Sequence, residues 1–137
     1  MMRKINKIIV HCTATPENRF TSVDDIRRWH KAQGWKDIGY HYVIYLDGTV
    51  HEGRPVEQIG SHCKGHNSNS IGIVYVGGID AVKFKAKDTR NTAQKAALLD
   101  MLKFLKNTYP AAEIYGHRDF AAKACPSFDA RKEYKDL

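Results

Sequence analysis

Near the end of the chain, GHRDFAAKACPSFD (residues 116–129) places His117, Lys123 and Cys125 within nine positions. A cation beside a thiol lowers its pKa, which serves either a nucleophilic cysteine or a metal-bound thiolate. His117 and Cys125 lie eight apart and match none of the compact zinc-finger spacings, so any further ligand must come from elsewhere. His11 is a candidate, because it stands near the end of KIIVHCT (residues 7–13), a short β-branched run with the character of a buried strand. Two histidines and one thiolate leave the fourth position of a tetrahedral zinc ion open, the makeup of a catalytic rather than a structural site. The residue types permit this set without selecting it. A cysteine hydrolase, with Cys125 activated by His117 and Lys123, draws on the same residues.

The elements that must position these groups follow from the patterning. The spacing of Val23, Ile26 and Trp29 predicts a helix opened by a Ser22–Asp25 capping box and closed near Gly34. On it His30 falls on the polar side, and Trp29 and Trp35 read as core and helix-end packing. YHYVIYLDGTVHEGR predicts a hairpin turning at Asp47–Gly48, with His51 an ordinary hairpin position. Residues 70–76 form a further strand. Leu98, Met101, Leu102, Leu105 and Tyr109 line one stripe of a long helix that ends before Pro110. AEIYGH is a last short strand delivering His117, and Ser127 is placed to cap a C-terminal helix from Phe128. If residues 123–125 run extended, Lys123 and Cys125 share a face. Together these elements predict a single α/β domain over residues 1–137, a central mixed sheet of about five strands flanked by about three helices.

Composition narrows the class. The chain has 137 residues, 42% of them hydrophobic and 27% charged, enough for a buried core and unlike a disordered chain. A net charge of +7 favours an anionic partner, but the basic residues are spread along the chain and form no dedicated nucleic-acid patch. Three cysteines without close spacing argue against a disulfide framework, and Cys12 and Cys63 read as small buried fillers. No apolar run is long enough for a signal-peptide core or a membrane span. The expectation is a monomer made in the cytoplasm without membrane insertion, reaching any target beyond the membrane by another route of release.

Four segments in order carry a specific resemblance: HCTAT, GYHYVIYLDGTVHEGR, IGSHCKGHNSNSIGIVYVGG and GHRDFAAKACPSFD. Together they resemble the zinc-dependent N-acetylmuramoyl-L-alanine amidases of the type 2 amidase and peptidoglycan-recognition-protein superfamily, most of all the amidase-type phage lysozymes (endolysins). The resemblance runs from about Lys7 to Phe128. It implies one zinc ion per chain on His11, His117 and Cys125, with Tyr40 and Lys123 as catalytic partners. It implies hydrolysis of the amide between N-acetylmuramic acid and the L-alanine of the peptidoglycan stem peptide. His62 and Asn69 resemble substrate-binding positions. The rival of another class is a non-hydrolytic peptidoglycan-binding module of the same fold.

Overall fold

The computed structural model describes residues 3–137. Along the chain run β1 (Lys7–Cys12), β2 (Thr15–Pro16), α1 (Val23–Ala32), β3 (Tyr42–Ile44), β4 (Val50–Glu52), β5 (Ser70–Tyr75) and β6 (Gly78–Ile79). They are followed by α2 (Thr92–Thr108), β7 (Glu113–Gly116), a 3-10 turn (His117–Asp119) and α3 (Ala130–Glu133). Five strands make a mixed sheet in the order β4-β3-β5-β1-β7, antiparallel between β3 and β4 and parallel elsewhere. The short strands β2 and β6 pair separately, an element the patterning does not announce.

β1 and β5 are apolar almost throughout because parallel strands at the centre of a covered sheet have no solvent face. On one side Ile8, Val10, Ile71, Ile73 and Tyr75 pack against Leu98, Leu102 and Leu105 of α2 and against Phe128 and Tyr134. Burying a leucine contributes about 1.5–3 kcal/mol. Three of them outweigh propensity differences of under about 1 kcal/mol per residue, so packing holds α2 in place. On the other side Val43, Val74 and Val76 meet Ile26 and Ile38. Side chains alternate along a strand, so His11, next to Val10, emerges on the α1 side of the sheet.

α1 begins with the predicted capping box of Ser22 and Asp25. Its buried face differs from the predicted one: Trp29 is 43% exposed, while His30 is buried and its Nδ1 accepts the Gly39 N–H at 2.8 Å. The C-terminal helix also starts later than predicted. Asp129 caps α3, and Ser127, at φ 71°, donates its hydroxyl to the Gly78 carbonyl instead. Phe128 therefore lies outside the helix, with the Arg90 guanidinium 3.4 Å above its ring. Arg90 is itself buried and donates to Asp88, Glu133 and the Tyr134 hydroxyl. That network anchors α3, and the loop before it, to the approach into α2. No helix among the described residues is long and apolar enough to cross a membrane.

Candidate active site

β1 and β7 run parallel with Val10 opposite Gly116. Their C-terminal ends thus deliver His11 and His117 to the same edge of the sheet, where open α/β sheets carry their sites. The rings of the two histidines stand 4.7 Å apart. Cys125 returns to that edge on the loop after β7. The loop is held by Arg118 N–H on the Cys125 carbonyl at 2.8 Å and by the Tyr75 hydroxyl, which donates to the Pro126 carbonyl at 2.7 Å. The Cys12 N–H donates to Cys125 Sγ at 3.2 Å, which favours the thiolate, but the neighbouring Cys12 thiol and burial outweigh it and push the Cys125 thiol up.

The ligand-capable atoms of His11, His117 and Cys125 lie within 4.8 Å of one another, and His11 Nδ1 is 3.8 Å from Cys125 Sγ. Tetrahedral zinc, with bonds of about 2.0–2.3 Å, holds its ligand atoms about 3.3–3.8 Å apart. The donor set and spacing fit such an ion with small adjustment. Burial holds the His11 imidazole well below the usual histidine range, helped by His62, His117 and Lys123; burial and then Lys123 lower His117. Both shifts favour the neutral imidazole, the form that a metal would require of a histidine ligand.

Tyr40 stands beside this cluster, its ring 5.0 Å from that of His11 and 5.5 Å from that of His30. Burial pushes its phenol up, with Cys125 and Cys12 adding to the shift. The hydroxyl makes no hydrogen bond to the described residues. Lys123 does not continue an extended run to Cys125: the chain bends there, leaving Lys123 exposed and Cys125 half-buried. The ammonium has no ion-pair or hydrogen-bond partner among the described residues, and its charge acts on both His117 and His11.

A cleft of about 700 Å³ opens beside the cluster, lined by Trp35, Ser61, His62, Cys63, Lys64, Gly65, Asn67, His117, Phe120, Ala121 and Lys123. Two lysines and no carboxylate face it. Trp35 belongs to this wall rather than to the core. His62 lines the cleft, yet both its ring nitrogens are engaged inside the protein, with His11 and Ser70. The structure does not bring Asn69 to the cleft. Asn69 sits in the turn just before β5, its Oδ1 near Lys7 Nζ and its carbonyl accepting from Asn6 and Lys7. The asparagine that reaches the cleft is Asn67, whose Oδ1 accepts the N–H groups of His62 and Cys63, each at 2.9 Å. One polar side chain closing a turn over two successive N–H groups is a local signal available in SHCKGHNSNS.

His41, next to Tyr40, supports the floor of the site: its Nδ1 accepts the Gly72 N–H and its Nε2 donates to the Gln58 carbonyl. Burial lowers its pKa to about 4; Arg3 and Arg54 also oppose protonation, while the Gln58 carbonyl and Glu57 favour it. The folded pKa lies below the ordinary 6.5, so the unfolded chain takes up the proton first. This contribution to stability is complete above pH 6.5 and is lost as the pH falls toward 4, by about 3 kcal/mol in all. In an NMR titration the His41 ring resonances should stay unshifted from pH 8 to 5.5; a midpoint near 6.5 would overturn the assignment.

The N-acetylmuramoyl-L-alanine amidase family profile matches residues 1–128. The endolysin of Enterobacteria phage K11 is 47% identical over 133 residues, covering 97% of this chain and 87% of the phage protein. The endolysin of Escherichia phage T7 is 48% identical over 126 residues, covering 91% and 82%. Among solved structures, the N-acetylmuramoyl-L-alanine amidase LysC from Clostridium intestinale superposes with a TM-score of 0.80 at 29% identity, covering 96% of this chain and 82% of LysC. The chain belongs to the N-acetylmuramoyl-L-alanine amidase family. It is an amidase that hydrolyses the bond between N-acetylmuramic acid and the L-alanine of the peptidoglycan stem peptide.

Proposed function

We propose that this hydrolysis depends on one zinc ion per chain held by His11, His117 and Cys125. The observation that carries the reading is the convergence of two neutral imidazoles and one thiol, their ligand atoms within 4.8 Å, beside an open cleft. When bound, zinc supplies Lewis acidity, polarising a carbonyl and bringing the pKa of water toward about 7. The chain's own residues do the rest. The cleft between Trp35 and Phe120 receives the sugar–peptide junction, and its two lysines suit the carboxylates of the stem. Tyr40, protonated at neutral pH and free of other partners, donates its O–H to the oxygen that becomes negative as the amide carbon turns tetrahedral. Lys123 offsets the same developing charge from the cleft side.

The K11 and T7 phage relatives being endolysins, we read the biological role as cell-wall lysis by a monomer. Its domain spans residues 1–137, it reaches the wall by another route of release, and it takes no specific nucleic-acid partner. Incubation with purified peptidoglycan should release free stem peptides and leave the glycan strands intact by mass spectrometry. A chelator should abolish that release, and one equivalent of zinc should restore it. Full turnover in the presence of chelator would return the cysteine-hydrolase mechanism to favour.

A further inference from the structure

We propose that His62 is a positioning residue for His11, fixing which nitrogen of that ring faces Cys125 and His117; this rests on the reading above that His11 is a metal ligand. The His11 Nε2 atom is 2.8 Å from His62 Nδ1, and His62 Nε2 is 3.1 Å from Ser70 Oγ. A neutral imidazole has one N–H and one bare nitrogen. For His11 Nδ1 to be bare toward Cys125, its hydrogen must sit on Nε2 and be donated to His62 Nδ1. His62 must then carry its own hydrogen on Nε2, directed at Ser70. The opposite polarity would aim an N–H from His11 Nδ1 at the thiolate and leave no lone pair for a metal. His62 therefore selects the ligating tautomer of its neighbour.

The surrounding chain is built to keep His62 there. Gly72, in the buried centre of β5, makes the room: a Cβ at that position would lie 2.6–2.8 Å from three atoms of the His62 ring. In a strand where Ile71, Ile73, Val74 and Tyr75 are β-branched or aromatic, a glycine has no propensity reason to be present. The backbone of His62 is fixed as well, through its N–H on Asn67 Oδ1. His11, His62 and Ser70 are all buried, with His62 only 7% exposed, so water does not compete for the relay. With both nitrogens engaged, His62 offers the cleft only the face of its ring. Its use lies behind the metal ligand rather than in gripping substrate.

The test compares His62→Phe, which fills the space without an acceptor, with His62→Gln, whose amide oxygen can accept the His11 N–H. Zinc affinity is read by competition with a chelator, alongside KM and kcat on peptidoglycan. His62→Phe should bind zinc about 10- to 100-fold more weakly, the usual cost of losing the group that orients a ligating histidine, with KM unchanged. His62→Gln should recover most of that affinity. Parental zinc affinity in His62→Phe with a raised KM would overturn the proposal and make His62 a substrate contact. Equal weakening in both variants would overturn it in favour of packing alone. His11→Ala is titrated in parallel. Zinc binding unchanged in that variant sinks the ligand reading and this proposal with it, whereas weak binding there beside parental binding in His62→Phe sinks this proposal alone.

Discussion

Cys125→Ala is expected to purify without zinc and to hydrolyse no peptidoglycan, while Lys123→Ala, two residues away, keeps a full equivalent of metal and loses only turnover. The two side chains part at the bend between them: the thiol turns inward to within 3.8 Å of His11 Nδ1, and the ammonium stays on the cleft wall. Removing the thiolate deletes one of the three proposed protein ligands and the only anionic one among them. Removing the ammonium leaves the ligand set whole, because two imidazoles and one thiolate leave a divalent ion net positive without help. The lysine then acts on charge that develops during reaction, and losing such a stabilising group typically costs about 2.7–4 kcal/mol, or 10²–10³ in kcat. Zinc content by atomic absorption and steady-state lysis kinetics read both effects. Equal zinc loss in the two variants would make Lys123 a support of the site, and an unchanged kcat would make it a bystander.

Tyr40→Phe should fold, bind zinc as the parent does, and hydrolyse 10²- to 10³-fold more slowly, the same range as for other single donors to an oxyanion. Only the hydroxyl is lost, and that hydroxyl bonds no described residue of the protein. The aromatic contacts with His11 and His30, at 5.0 and 5.5 Å, belong to the ring and survive the change. Stability measured by urea unfolding should therefore move little, since the hydroxyl of the half-buried Tyr40 has no protein partner and its loss gives up no internal hydrogen bond. Turnover within threefold of the parent would demote Tyr40 to a structural aromatic.

The frame of the site is legible in the sequence because it rests on periodicity. KIIVHC and SIGIVY are uninterrupted buried runs, the Leu98–Leu102–Leu105 stripe marks α2, and the strand ends fall where His11 and His117 are needed. What escapes is whatever depends on contacts between segments far apart in the chain. His30 looks solvated from its helical phase, but the Gly39 N–H, brought over by the following loop, gives its ring a buried partner. Trp29 fits an apolar stripe by spacing, yet it does not join the core and stays 43% exposed. Asn69 and Asn67 are two residues apart in a turn-rich segment, where composition does not say which side chain reaches the cleft. Ser127 suits a helix cap by type, but its left-handed backbone turns it toward Gly78 and leaves the cap to Asp129.

The joining of β1 to the loop after β7 bears on when the molecule becomes dangerous to the cell that makes it. His11 and Cys125 are 114 residues apart, and the sheet between them has to be paired before they meet. A chain whose synthesis stops before residue 125 holds at most two of the three proposed metal donors. On that proposal such unfinished chains are inert toward the wall. On the proposed ligand set, lytic capacity arrives with the last strand and its loop. On the same proposal, an opening confined to the β7 edge would switch the enzyme off, because it carries away His117 and Cys125 together.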